Sequence, residues 1–99
     1  MAEVEAQRAP EITFKGQCPI LRVANLDASI DYYLAMLGFK LNWKTPYFAS
    51  VERDRAGVFL AQGDQGHPGG WVWIGVSDAR ALCAEYVSKG AKIRHRPTN

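Results

Sequence analysis

This chain has little cysteine, little histidine and no long apolar run. Cys18 and Cys83 are its only cysteines, and they lack the CxxC spacing that is typical of zinc sites, so we interpret both as reduced thiols. The apolar runs, such as residues 71–74, are far shorter than the roughly 20 residues that cross a bilayer, and no charged-then-apolar leader opens the sequence. We therefore expect a cytoplasmic protein with no membrane partner.

Neither sign of charge is in clear excess. Lys and Arg number 12 and Asp and Glu number 10, which gives a net charge of +2 with no basic cluster, so nucleic acid is not an expected partner. The sequence has no GxSxG motif and no phosphate-binding glycine loop. Its 99 residues, 47% of them hydrophobic, predict a small domain with one core and exclude a two-domain enzyme.

The first part of the chain shows the pattern of a strand, a helix and three further strands. Behind Asp27, which suits an N-cap, apolar residues recur at helical spacing as far as Gly38, which suits a left-handed C-terminal cap. Alternating apolar and polar residues on either side predict strands. The predicted elements are a strand over 18–23, a helix over 28–37 and strands over 39–44, 47–53 and 58–62.

The pattern then restarts, which indicates an internal repeat. A strand is predicted over 71–76, and a second helix is expected from the N-cap Asp78 to Gly90. Gly90 follows Gly38 by 52 residues and Val76 follows Val23 by 53, so the two segments align with one gap. The second copy stops about two strands short of the first. The predicted organisation is an N-terminal arm (1–16), a first β-α-β-β-β module (17–62), a glycine-rich linker (63–70) and a partial second module (71–99).

Two segments resemble the vicinal oxygen chelate superfamily, which includes glyoxalase I, the extradiol dioxygenases, the fosfomycin-resistance enzymes and the bleomycin-resistance proteins. Residues 25–33 fit the pattern N-L-D-x-S-I-x-Y-Y, residues 37–39 are L-G-F, and residues 69–93 are similar to the second module of that family. The resemblance implies an α+β fold in which paired β-α-β-β-β modules form a cup-shaped mixed sheet. It also implies that the ligand lies in the cup, often at a dimer interface.

The metal ligands that the resemblance implies are not matched. Enzymes of the superfamily hold a divalent ion with a His on the first strand of each module and a Glu near the end of each fourth strand. The corresponding first-strand positions are Cys18 and Trp71, and residues 58–62 contain no carboxylate. His67 and His95 fall outside the ligand positions. We therefore expect no metal, no cofactor and a binding protein rather than an enzyme.

Alternation places side chains of the first strand in the cup. If Cys18 occupies a cup-facing position, Ile20 and Arg22 share its face. A cation in the cup requires a partner. For Arg22 this partner is an acidic group of a ligand or of a second subunit, or a nearby carboxylate such as Glu52.

The remaining candidate ligand contacts are aromatic. Trp71 and Trp73 lie two residues apart, so on a strand they share a face and offer flat surfaces to a planar ligand; the alternative is a place in the core or a dimer interface. Trp43 and Tyr47 flank a turn and are candidates for a rim, although alternation also allows Trp43 a core position beside Leu41 and Phe39. Phe59 completes the candidate set.

Three functional hypotheses follow. The first is a metal-free, homodimeric binding protein similar to the bleomycin-resistance proteins, which sequesters a bulky aromatic or glycopeptide antibiotic in an aromatic groove. The second is a metal-dependent glyoxalase- or dioxygenase-type enzyme whose ligands come from chain beyond these residues or from a partner subunit. The third is a structural relative without a ligand. The incomplete repeat suggests either a truncated piece of a longer protein or a cup that a second subunit completes, which is why we expect a dimer.

Overall fold

Four strands and two helices make up the described part of the chain. The structure is a computed structural model and describes residues 10–66, 69–94 and 97. Residues 10–19 contain no helix or strand, and the predictions on residues 1–9, His67 and His95 lie outside the described residues. The elements are β1 (Ile20–Val23), α1 (Leu26–Ala35), β2 (Lys40–Lys44), β3 (Phe48–Arg53), β4 (Ala56–Gln62) and α2 (Ala79–Ser88).

Helix α1 begins two residues earlier than the sequence pattern predicts. Its N-cap is Asn25, whose side-chain oxygen accepts a hydrogen bond from the Ala28 N–H at 3.0 Å, so the prediction of Asp27 as the cap is wrong. Asp27 lies in the first turn instead, where a carboxylate is favoured by the helix dipole, and it pairs with Lys44 at 2.7 Å. Gly38 has φ +78° and lies just beyond the helix, as predicted.

The sheet has the strand order β1-β4-β3-β2, with β1 parallel to β4 and the other pairs antiparallel. Helix α1 covers one face, as a crossover helix in a β-α-β unit must. Leu26 and Ile30 of the helix pack there against Val51, Val58 and Leu60 of the sheet, and all five are buried. The main hydrophobic cluster therefore lies between α1 and one face of the sheet, and the other face carries no helix among the described residues.

A β-bulge in β2 changes the direction of one tryptophan. Leu41 pairs with Val51 and Trp43 pairs with Ser50, so Asn42 is the extra residue on its strand. Alternation along the sequence allowed Trp43 a core position beside Leu41. That interpretation is wrong, because the inserted residue reverses the alternation and places Trp43 on the face opposite α1.

The second helix forms as predicted, but the strand before it does not. The side chain of Asp78 accepts a hydrogen bond from the Ala81 N–H at 3.0 Å, and Gly90 has φ +84° beyond the C-terminus. Residues 71–76 form no strand. In the repeat they correspond to β1, whose hydrogen bonds go to β4, and the described residues contain no counterpart of β4 for them to pair with.

Polar contacts join α2 to the first module. The Arg53 guanidinium donates to both carboxylate oxygens of Glu85, at 2.6 and 3.0 Å, and to the Leu37 carbonyl at 3.0 Å, and the Tyr86 hydroxyl donates to the same carbonyl at 2.9 Å. The hydrogen bonds from Arg53 hold the pKa of the Glu85 carboxyl below its usual value. No residue of α2 is buried, so these contacts, rather than a core, position the helix. Neither described helix has the length and apolar character of a membrane span.

Candidate ligand-binding face

The side of the sheet opposite α1 carries most of the predicted site residues. Leu21 and Val23 pack against the core, so alternation directs Ile20 and Arg22 to the opposite side, as the sequence predicts. On β3 and β4, alternation likewise directs the core residues toward α1 and the residues next to them toward the opposite side of the sheet. We call this side the open face; its side chains are Ile20, Arg22, Trp43, Phe48, Ser50, Phe59 and Ala61.

Three aromatic rings lie together at the middle of the open face, and we call them the aromatic cluster: Trp43, Phe48 and Phe59. Trp43 stacks on Phe48 with ring centroids 5.8 Å apart and planes 13° apart, and Phe59 lies 5.8 Å from Trp43 and 5.3 Å from Phe48 in tilted arrangements. Trp43 is 47% exposed, so about half of it remains open to a ligand. Cross-strand pairing of Ile20 with Phe59 extends this apolar surface to β1.

Phe48 is the member of the cluster that the sequence analysis missed. The signal was present in β3, because the small apolar residues Ala49 and Val51 fit beneath α1 and therefore direct Phe48 and Ser50 to the other face. The polar neighbour Ser50 also belongs to this face, where its hydroxyl accepts a hydrogen bond from the Asn42 side chain at 3.2 Å.

A cavity of about 450 Å³ adjoins the aromatic cluster, and we call it the end cavity. Phe48 belongs to both features, so the cavity borders the cluster, while most of its other lining residues are polar. Tyr47 stands at its rim with 66% of its surface exposed, and its backbone carbonyl accepts a hydrogen bond from the Gln62 N–H at 2.8 Å. The residues that line the end cavity are Thr45, Tyr47, Phe48, Ala61, Gln62, Gly63, Asp64 and Gln65.

Arg22 connects the open face to the loop after β4. Its Nη2 donates to the backbone carbonyl of Asp64 at 2.6 Å, while its Nε is buried without a hydrogen-bond partner among the described residues. The sequence analysis offered Glu52 as one possible partner of Arg22, but no ion pair within the described residues joins the two side chains. The loop packs closely on β1, since a Cβ at Gly66 would lie 2.9 Å from the Ile20 carbonyl oxygen.

Cys18 lies at the margin of the same face. Its Sγ is 3.6 Å from the position that a Cβ at Gly57 would occupy, next to β4. Burial raises the pKa of the Cys18 thiol, and a hydrogen bond with the Phe59 backbone opposes this shift. A thiol with a raised pKa is a weaker nucleophile and a poorer metal ligand at neutral pH. Within the described residues, no group of three or more His, Cys, Asp or Glu side chains is placed to hold a metal ion.

The structure does not bring Trp71 and Trp73 into the aromatic cluster. They are 87% and 88% exposed, and no ring contact within the described residues joins them to Trp43 or Phe59. The Trp73 ring lies over its own chain instead, because a Cβ at Gly75 would be 2.8 Å from its Cη2. Their predicted common face required a strand at 71–76, which is not formed.

The strand order and the single covered face define an α+β domain built on a β-α-β-β-β module. A sequence model of the Glyoxalase/Bleomycin resistance protein/Dioxygenase superfamily matches residues 14–99, and the chain therefore belongs to this superfamily. The resemblance found in the sequence motifs is thus confirmed. Among curated proteins, none matches the chain.

Solved structures show the same fold. The bleomycin-binding protein of bleomycin-producing Streptomyces verticillus, in complex with copper(II)-bleomycin, matches with a TM-score of 0.68 and 24% identity over 80% of this chain. The match covers 66% of that protein, so this chain spans slightly less than two thirds of its length. A glyoxalase/bleomycin resistance protein/dioxygenase from Nocardioides matches with a TM-score of 0.67 and 17% identity, over 99% of this chain and 75% of its own. TioX from Micromonospora sp. ML1 matches with a TM-score of 0.60 and 19% identity, over 85% of this chain and 80% of its own.

Proposed function

We propose that this protein binds a bulky, planar aromatic small molecule on its open face and thereby sequesters it. The observation that carries the proposal is the aromatic cluster, in which Trp43 stacks on Phe48 and still exposes about half of its surface. An exposed ring held by neighbouring rings is rigid, so it stacks on a flat ligand with little loss of side-chain entropy. Each such stacking contact contributes about 0.5–1.5 kcal/mol beyond the area that it buries.

The proposed ligand class is an antibiotic of the bleomycin kind. Support comes from the shared fold of the bleomycin-binding protein and from the partly exposed apolar side chains Ile20 and Trp43 on this sheet. The proposed contacts on the open face are Ile20, Arg22, Trp43 and Phe59, with Tyr47 at the rim of the end cavity. Trp71 and Trp73 remain proposed contacts from the segment that follows the loop, and their alanine variants test them separately.

We expect binding without a metal held by the protein and in the form of a homodimer. At the first-strand position of the module the chain carries Cys18, and β4 contributes no carboxylate. A metal-dependent mechanism would need such ligands at an open coordination site. A second subunit that packs beside the aromatic cluster would remove neighbouring apolar surface, such as that of Ile20, from water and leave Trp43 to the ligand, which favours association.

Tryptophan signals test the proposal directly. The indole N–H resonances of the isotope-labelled protein are followed by NMR during titration with metal-free bleomycin, which avoids quenching by copper. We expect the Trp43 resonance to shift at micromolar ligand. Trp43→Ala, whose titration is followed by the backbone amide resonances of β4, should bind roughly tenfold more weakly, since about 1.4 kcal/mol corresponds to that factor.

Phe14→Ala is the matched control, because Phe14 is an exposed aromatic residue outside the sheet, and it should leave the affinity unchanged. If no Trp43 shift occurs at micromolar ligand, or if Trp43→Ala binds as tightly as the unmodified protein, the proposed binding at the aromatic cluster is wrong. Sedimentation velocity of the same samples tests the dimer.

A further inference from the structure

Arg22 places an incompletely bonded cation on the apolar open face. Its Nη2 is engaged by the Asp64 carbonyl, but its buried Nε has no acceptor within the described residues. None of the ion pairs in this part of the chain includes Arg22. The buried Nε is closed to an incoming ligand, whereas Nη1 makes no hydrogen bond within the described residues and is not among the buried unpartnered atoms. An oxygen that arrives with a ligand can therefore meet the outer edge of the guanidinium, formed by Nη1 and Nη2.

The position of Arg22 fits a ligand that already touches the aromatic cluster. Arg22 pairs in register with Ala61, which lines the end cavity, and Ile20 on the same face pairs with Phe59. Residues two apart on a strand are separated by roughly 6.5 Å. An acidic group attached directly to a ring system that rests on Phe59 can therefore reach Arg22.

The loop after β4 holds the guanidinium in place before any ligand binds. Asp64 accepts one of its hydrogen bonds, and Gly66 lies so close to β1 that a Cβ there would be 3.2 Å from the Arg22 backbone nitrogen. A fixed guanidinium loses little freedom on binding and can offer two parallel donors to a planar carboxylate.

We infer that Arg22 recognises a carboxylate on the aromatic ligand, so that the open face selects aromatic acids over neutral aromatic compounds of the same shape. The inference rests on the proposed function, since it assumes that the ring system stacks on the aromatic cluster. It adds a preference among ligands: a carboxylate raises the affinity through Arg22, and a ligand without one, such as bleomycin, binds through the rings alone.

A pair of probes that differ only in charge tests this selectivity. Naphthalene-2-carboxylate and naphthalene-2-carboxamide have the same ring system, and each is titrated into the full labelled chain while the Trp43 indole resonance is followed. We expect the acid to bind at least roughly tenfold more tightly than the amide, as charge-assisted bidentate hydrogen bonds are about twice as strong as neutral ones.

Three variants assign the preference to Arg22. Arg22→Gln removes the charge and should reduce the preference to within about twofold, and Arg22→Lys keeps the charge but loses the planar fork, so its preference should be intermediate. Arg55→Gln is the control, because Arg55 is an exposed arginine in the turn between β3 and β4, and it should keep the preference of the unmodified protein.

These experiments distinguish failure of the inference about Arg22 from failure of the proposed function. Equal affinity for the two probes at Trp43 overturns the inference about Arg22 and leaves binding at the aromatic cluster intact. A preference for the acid that survives in Arg22→Gln also overturns it. If circular dichroism shows that Arg22→Gln does not fold, the Arg22→Lys variant is used instead. If its preference for the acid over the amide equals that of the unmodified protein, the inference is overturned. If neither probe shifts the Trp43 resonance, the inference about Arg22 is overturned as well. The bleomycin titration then tests the proposed function independently.

Discussion

Gly38 meets two separate requirements, one of backbone conformation and one of space. Its φ of +78° lies in the left-handed region, which costs other residues roughly 1–2 kcal/mol. In addition, a Cβ at this position would lie 2.8 Å from Nη1 of Arg53, the side chain that binds Glu85. The sequence pattern predicts the first requirement from the end of a helix, but the second exists only because β3 brings Arg53 back to the helix terminus.

Substitution of Gly38 should therefore destabilise the protein more than substitution of its repeat counterpart. Gly38→Ala is expected to lower the free energy of unfolding by more than the roughly 1–2 kcal/mol of the conformational term. Gly90→Ala is the control, since Gly90 has φ +84° but open space around it. Its free energy of unfolding should fall by no more than the conformational cost. Urea unfolding of the two variants measures the difference. If both variants lose the same free energy of unfolding, the contact between a Cβ at position 38 and Arg53 does not affect stability.

At the scale of elements, the contacts of α2 are electrostatic and so depend on pH. The hydrogen bonds from Arg53 lower the pKa of Glu85 from its ordinary value of 4.5. A carboxyl group with a lowered pKa contributes stability that is complete above its ordinary pKa and is lost as the pH falls through the value in the folded protein.

Glu85→Gln should consequently destabilise the protein at pH 7 and make progressively less difference below about pH 4.5. The measurement is the free energy of urea unfolding of both proteins between about pH 3 and pH 7. Asp31→Asn serves as the control, because Asp31 is an exposed carboxylate of α1 that takes part in no ion pair of the described residues. A difference between the Glu85 variant and the unmodified protein that is as large at pH 3 as at pH 7 would contradict this account.

Elements differ in how far their sequence predicts them. The helices and the strands of the first module follow from local signals, namely the spacing of apolar residues, the caps and the turn residues, and their bounds agree to within about two residues. The bulge at Asn42 has no such signal in the sequence, because it arises from the pairing of β2 with β3. As the bulge decides which way Trp43 points, the central residue of the candidate site could not be placed from alternation alone.

For the whole molecule, the core is confined to the first module. Every fully buried hydrophobic side chain of the described residues lies between Leu26 and Ala61, whereas α2 buries none. A helix without buried apolar contacts opens at low free energy, while central strands open only with the whole domain.

Amide hydrogen exchange should therefore divide the chain in two. We expect the amides of β3 and β4, such as those of Val51 and Leu60, to be protected almost to the level of global unfolding. The amides of α2 should exchange faster by several orders of magnitude. NMR-detected exchange into deuterated water measures both. Equal protection of α2 and β4 would mean that the second part of the chain is stabilised by contacts beyond those described above.

The sequence by itself determined where the two helices and the strands of the first module lie, because these follow from interactions between residues that are close along the chain, and its motifs identified the superfamily and its α+β fold by resemblance. Only the tertiary structure decided the face of Trp43, the partner of Arg22 and the absence of a strand at 71–76. Each of these depends on which distant backbone lies alongside: β3 inserts the bulge, the loop after β4 supplies the Asp64 carbonyl, and a strand forms only where a neighbour can satisfy its hydrogen bonds.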